Sequence, residues 1–594
     1  MSGPDRRSIL LGGAALATPA PGFGRAGETE RLNAFFETVF QRRVSRSPSL
    51  QARLGVGGPP SAWDDVGDAR AAEDAALVRD DLERLARFDR DRLTPEARLS
   101  ADVFAHDAHD HLLRFDWRRH HYPVCQMRGP QRSIPQGLIN NHPIASRADA
   151  QAYVARLHAA GPHLDQIIAG LAQREAMGIK PPDFTYPLVI ANCENLLRGA
   201  PFGGDGDSPI LADFRQKVAA AGLAGADGLL REARAGLNEG LAPGFRRLIH
   251  WLETAAARGS HRSGAGALPD GQAYYAAMLR SHTTLPVDAA QVHERGLSEV
   301  ARIHAEMARL QARIGLSGDL PAFFAHLRSD PEFHYPATDA GRAAYLADAA
   351  AVIREVSGRL DELTSLRPAG EMVIRRVEPW LEASAGIAGY FAGSPDGQRP
   401  GILYYNLRDM GNLPRFELQA LAYHEGVPGH HLEKAVTQQL TDLPRFRRHG
   451  GYTAYSEGWA LYAEQLPHEI GLYQDPLQDF GRLSSELMRA GRLVVDTGLH
   501  AFGWSEARAL DWLERNTPNS RADNLQAVRR YLVTPGQATA YAVGRLKILE
   551  LRGRAQSRLG DRDRLPAFND AVLAGGPLPL PLLEQVVEAW IARS

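Results

Sequence analysis

Apolar residues return three and four positions apart through long stretches of this chain, over residues 101–160, 211–257, 288–314 and 338–363, on a background rich in Ala, Leu, Arg and Glu. A strand turns alternate side chains to opposite faces, so it cannot satisfy a period near 3.6, and these segments must each bury one stripe as helices. Strand signals are few. At 594 residues the chain is several times the usual domain size and can bury a large core or divide into lobes. The expected class is therefore mainly α. Residues 258–266 (RGSHRSGAG) break the periodicity with Gly and Ser, and read as a surface connection between an N-terminal helical lobe, 27–265, and a C-terminal lobe, 266–594.

Composition then removes whole classes of function. A formal net charge of −2 gives no basic excess for a phosphate backbone, so no nucleic acid partner is expected. No apolar run approaches the roughly 20 residues of a spanning helix, so the mature chain should have no integral membrane segment. The chain lacks G-x-S-x-G, a phosphate-binding loop and a dinucleotide fingerprint. Cys125 and Cys193 are its two cysteines, too few for a thiolate zinc site, so any metal site must use His, Asp and Glu. Arg6 and Arg7 precede a short, weakly apolar stretch at 9–17 that ends in small residues and prolines. This resembles a twin-arginine export signal over residues 1–26, cleaved after Ala17 or Ala26, with no nearby thiol to take a lipid. The expected location is periplasmic or secreted.

The character changes between Gly389 and Gly458. Gly389-Tyr390-Phe391, a Ser394-Pro395-Asp396-Gly397 turn and residues 401–407 look like a small hairpin. A helix striped by Phe416, Ala420, Tyr423 and Val427 should then lead into His424-Glu425-Gly426-Val427-Pro428-Gly429-His430-His431. In the usual H-E-x-x-H helix two histidines one turn apart hold zinc, and the Glu between them reaches the metal's water. Here His424 and His430 are six apart, a rise of about 9 Å on an unbroken helix. Two nitrogens about 2.1 Å from one zinc must lie within roughly 4 Å of each other. Pro428 and Gly429 supply the remedy, because proline disrupts the helix and glycine lets the chain loop out and return. His430 and His431 point about 100° apart, so one of them coordinates. We assign His430, although spacing by itself leaves His431 open. The third ligand should come from a second helix, and Glu457 is the candidate. Glu464, two turns on, reads as a residue behind the ligands or on a solvated face.

Four ordered blocks carry a resemblance: His424-Glu425 through His431, Glu457-Gly458-Trp459-Ala460-Leu461-Tyr462-Ala463-Glu464, Arg492 through His500, and Pro535-Gly536-Gln537-Ala538 with Tyr541 and Gly544. Together they resemble the bacterial DUF885 family, itself similar to the helical zinc metallopeptidases related to neurolysin, angiotensin-converting enzyme and carboxypeptidase Taq. The resemblance implies a two-lobed helical shell around a deep channel, with a small β-hairpin next to the zinc-binding helix. It implies Zn2+ on His424, His430 and Glu457, Glu425 as general base, and Tyr541 or His500 as donors to the tetrahedral intermediate. Asp496, one turn before His500, could orient that imidazole. Tyr405 could meet an extended peptide by edge addition. Arg489, Arg492 and Arg545 could meet a terminal carboxylate, and Gln537 joins the substrate contacts. The expected function is an exported zinc metallopeptidase acting on short peptides. The alternatives are a zinc amidohydrolase on a non-peptide amide and a non-catalytic metal- or peptide-binding protein.

Overall fold

Helix starts are written into this chain as Ser, Thr or Asp followed closely by Pro. The Thr94, Asp319 and Asp475 side chains each accept a backbone N–H of the first turn, and the proline occupies a position whose own N–H would have no partner. The computed structural model describes residues 27–594 apart from 260, 316–317, 379–381, 383–385, 395–398 and 561–564. The export-type segment 1–26 and the Pro395-Asp396-Gly397 turn lie outside the described residues. The fold is mainly helical with one small three-stranded sheet. Among the described residues no helix is long and apolar enough to cross a membrane.

The site is built by α1 (Gly271–Thr283), α2 (Ala289–Ile314), β1 (Met372–Arg376), β2 (Ala388–Phe391), β3 (Gly401–Tyr405), α3 (Leu418–Glu425), α4 (His430–Gln439), α5 (Thr453–Ala463), α6 (Pro476–His500), α7 (Arg521–Val533) and α8 (Ala540–Leu559). The hairpin expected from sequence exists as β2 and β3, paired antiparallel with Tyr390 opposite Leu403. The sheet adds β1, parallel to β3 with Ile374 opposite Leu403, which gives the order β1-β3-β2. The β1 segment ends in two exposed arginines and has no alternating pattern, so it carries little strand signal.

Helix α6 is buried along almost its whole length and lies against α2. A helix buried on all sides is normally apolar, yet α6 carries Arg482, Glu486, Arg489, Arg492, Asp496 and His500, all buried. Such groups must find partners inside the protein. Glu486 serves as a hub, meeting Arg482 of its own helix, Arg302 of α2 and Arg545 of α8.

The core does not follow a division at residue 265. Helices before about residue 105 share one hydrophobic core with residues 335–591, for example Phe36 and Phe104 against Phe446. Residues 124–255 form their own cluster. The connection at 258–266 is also less free than its composition implies, because the Ala265 N–H donates to His500 Nδ1 at 2.8 Å and Ala265 is buried. Cys125 and Cys193 are buried and unpaired.

Helices α5 and α8 cross where both lack a side chain. A Cβ on Gly544 would meet the Ala454 carbonyl oxygen, and one on Gly458 would meet the Gly544 backbone. This close approach brings Glu457 of α5 and Tyr541 of α8 to the same cavity. Gly544→Ala should therefore lower unfolding stability by about 1–3 kcal/mol through overpacking, read as a lower urea midpoint at unchanged slope.

Candidate metal centre and its cavity

Helix α3 ends at Glu425 and α4 begins at His430, so the helix breaks at the residues the Pro-Gly pair marks. The chain folds back over the end of α3, with the Gly429 N–H donating to the Tyr423 carbonyl at 3.0 Å and the His431 N–H to the Gly426 carbonyl at 3.0 Å. A Cβ at Gly429 would collide with the carbonyl oxygens of Tyr423 and His424, so the crossing requires glycine. Trp459 of α5, fully buried, fastens the loop by donating its indole N–H to the Pro428 carbonyl at 3.0 Å.

This reversal returns His430 to His424. Their imidazoles stand edge to face with centroids 5.0 Å apart, and both Nε2 atoms face Glu457, at 3.6 Å from His424 and 3.3 Å from His430. One donor atom from each of the three residues lies within 4.8 Å of the others. Ligands about 2.1 Å from a tetrahedral zinc stand roughly 3.4 Å apart, so the three donors suit that ion. His424 Nδ1 hydrogen-bonds Glu464 Oε1 at 2.7 Å. That carboxylate places the imidazole proton on Nδ1 and leaves Nε2 free to coordinate, the usual support of a metal-bound histidine. His431 is not part of this donor group; its Nδ1 meets the Tyr390 hydroxyl at 2.9 Å, and burial holds its pKa down at about 4.

The electrostatics ask for a cation. Burial works against charge on both His424 and Glu457. Their close approach, with Glu464 on one side and His430 on the other, nonetheless holds His424 above its ordinary value and Glu457 well below the carboxylate range.

These residues open on a cavity of about 530 Å³, whose walls include Glu425, Tyr390, Arg489, Arg492, Arg530 and Tyr541 beside the triad. That volume suits a small ligand. Tyr541 accepts an N–H from Arg530 at 3.1 Å. Arginine has only donors, so the tyrosine keeps its own proton for another acceptor. Arg530 is a cavity residue that sequence reasoning missed. It sits in an ordinary Arg529-Arg530-Tyr531 run among 68 Lys and Arg residues, and only the spatial meeting with Tyr541 and Gln537 distinguishes it.

Several sequence assignments are corrected. His500 lies outside the cavity walls, fully buried, with Nδ1 accepting from Ala265 and Nε2 donating to the Tyr531 carbonyl at 3.0 Å. Both nitrogens are occupied by backbone, so it joins segments and has none free for an oxyanion. Asp496 does not touch His500; it accepts from the Tyr275 hydroxyl at 2.7 Å and the Gly536 N–H at 3.0 Å. Tyr405 is fully buried on the central strand, both of whose edges are taken, so it cannot receive an added strand. Arg545 is held by Glu486 at 2.9 Å and by Gln465 at 2.9 Å, away from the cavity walls. Gln537 accepts from Arg530 at 3.0 Å and so steadies a wall residue instead of lining the wall. Glu464 stands behind His424, buried. Arg489 and Arg492 do line the cavity.

Two measurements follow from this geometry. Replacing Glu464 with Gln removes the charge behind His424 and should weaken zinc binding about 10- to 100-fold, measured by competition with a chelating dye. Burial holds the Asp496 carboxyl up at about 7, above its unfolded value of about 4. The folded state therefore keeps a proton that the unfolded chain gives up, and stability falls as pH rises from about 4 to about 7. Asp496→Asn preserves the acceptor without this titration, so its melting temperature relative to wild type should rise between pH 5 and pH 8.

The fold is shared with solved proteins over almost the whole chain. The chain matches a protein from Colwellia psychrerythraea, described as a "putative lipoprotein", with a TM-score of 0.89 and 28% identity over 96% of this chain and 100% of that one. A second protein of the same description and of unknown function, from Shewanella oneidensis, matches with a TM-score of 0.70 and 18% identity over 95% of this chain and 100% of that one, and shares the fold. No curated protein matches. Residues 48–587 match the family model described as "Bacterial protein of unknown function (DUF885)", and the chain belongs to that family.

Proposed function

We propose that this protein is a zinc-dependent peptidase of the cell envelope that hydrolyses short peptides. The observation that carries the proposal is the convergence of His424, His430 and Glu457 on one point, with Glu425 beside it on the wall of a cavity. A non-catalytic binder has no need of an acid beside the ligand set. Peptide recognition is supported by β2, an edge strand of the sheet whose residues, with Gly386 and Ile387 before it, line the same cavity. Its outward edge can hydrogen-bond an extended main chain whatever the side chains. Location in the envelope is supported by the description of both structural relatives as lipoproteins and by the paired arginines ahead of residues 9–17, which favour the twin-arginine route.

His424, His430 and Glu457 would hold the metal, and Glu464 would orient the first of them. When bound, zinc supplies a Lewis acid for the substrate carbonyl and lowers the pKa of water. Glu425 takes one proton from the attacking water as its oxygen joins the carbonyl carbon. As the C–N bond breaks, Glu425 returns that proton to the departing nitrogen, so an acid and an amine leave and the carboxylate is regenerated. The Tyr541 hydroxyl, steadied by Arg530, donates to the oxygen on which charge develops.

Elemental analysis of protein purified without a nickel column should find about one zinc per chain, lost in His424→Ala. Glu425→Gln should retain the zinc while kcat on a responsive peptide falls about 10²- to 10⁴-fold. Peptide turnover that survives Glu425→Gln would remove this mechanism.

A further inference from the structure

The buried arginines of α6 divide into two sets. Arg482 meets Asp479 at 2.7 Å and Glu486 at 3.5 Å, and its neighbour Arg545 of α8 meets Glu486 at 2.9 Å. The arginines on the cavity have only neutral partners. Arg489 donates to the Ser485 hydroxyl at 2.8 Å and carbonyl at 3.3 Å, and its Nε has no partner. Arg492 donates to the Tyr531 hydroxyl at 3.1 Å and the Met488 sulfur at 3.3 Å, lies 4.4 Å over the Tyr541 ring, and has an unpartnered Nη1. Arg530 donates to Gln537 and Tyr541. Among the described residues none of the three is in an ion pair. Arg489 and Arg492 are each 8% exposed.

Unpaired buried charge is costly, and arginine cannot shed it by deprotonating. Besides Glu425 and Glu457, two further carboxyls line this cavity, Glu417 and Asp523; Glu417 feels the Arg489 charge, but neither forms an ion pair with the arginines among the described residues. Glu417 hydrogen-bonds Ser484, Asp523 hydrogen-bonds Ser520, and burial pushes both upward, Asp523 to about 7. Lys434 is held by Glu433 at 2.9 Å. The cavity thus holds both a cation-seeking donor cluster and three positive charges that no carboxylate of the described residues pairs.

We propose that Arg489, Arg492 and Arg530 bind a free carboxylate of the ligand, so that the substrate is a short peptide held by its C-terminus and cleaved as an exopeptidase would cleave it. Planar guanidiniums match a carboxylate with paired N–H donors, and the desolvated wall strengthens the contact. The cleavage half rests on the zinc peptidase reading; the carboxylate half does not. Arg530 touches both the proposed anion and Tyr541, and so links occupancy of the carboxylate wall to placement of the oxyanion donor.

The test uses the zinc-loaded Glu425→Gln protein, in which slowed turnover lets peptide binding be read. N-acetyl-Ala-Ala-X acids, with X as Phe, Leu, Lys or Glu, and their C-terminal amides are titrated by calorimetry. At least one acid should bind tenfold or more tighter than its amide. Adding Arg489→Gln or Arg492→Gln should erase that preference by weakening the acid alone, with zinc content unchanged. Equal affinity for acids and amides, or no binding of either, overturns the proposal, and so does a preference that survives both substitutions. An acid preference in a protein whose wild type cleaves none of these peptides would keep the carboxylate site and remove the peptidase reading. Cleavage of the amides as readily as the acids would do the reverse.

Discussion

Everything at the candidate centre depends on the chain reversing between Glu425 and His430. On a continuous helix the two histidines would be separated by about 9 Å. The break lets α4 start beside the end of α3 and brings both Nε2 atoms within 3.6 Å of the Glu457 carboxylate. The reversal is tolerated because Gly429 has no Cβ to strike the carbonyls it crosses, and it is fixed because Trp459 holds the Pro428 carbonyl. Trp459 lies two residues after Glu457 on α5, so one helix supplies both the third candidate donor and the clamp. The Gly458–Gly544 crossing then sets the depth of that helix against α8 and with it the separation of Glu457 from Tyr541.

Buried charge is handled differently on the two sides of α6. Away from the cavity Glu486 gathers three arginines into a network, an arrangement that stabilises only because every member is satisfied. Toward the cavity the arginines meet hydroxyls, amides and ring faces. In the same site Glu425, Glu457 and Glu464 crowd around two imidazoles. A protein built only for stability would pair these groups with one another; here the two sets form no ion pair among the described residues, at the expense of stability in the free state, as functional sites often do.

How much was legible depended on how local the constraint was. The donors His424 and His430, the proposed base Glu425 and the interruption between them fall within seven residues, so elementary helix geometry exposed both the difficulty and its solution. Glu457 could be reached because the second helix follows closely and carries a carboxylate ahead of a Gly-Trp pair. His500 and Asp496 misled for an opposite reason. Their spacing of four is what a cooperating pair would show, but whether an imidazole reaches a cavity or a backbone carbonyl depends on Ala265 and Tyr531, distant in sequence. Tyr405 failed as a substrate contact because β1, which carries almost no strand signal, occupies the edge that β3 would otherwise present.

The sequence by itself determined a mainly helical chain, the absence of a thiolate metal site and the His/Glu donor set, because helical period, cysteine count and short-range spacing are local properties. Only the tertiary structure decided which arginines answer a carboxylate within the protein and which face the cavity unpaired, that Arg530 holds Tyr541, and that Glu464 stands behind His424. Each of these is a meeting of side chains from different helices, fixed by crossings such as Gly458 on Gly544. A one-dimensional pattern records which faces are apolar but not which faces meet.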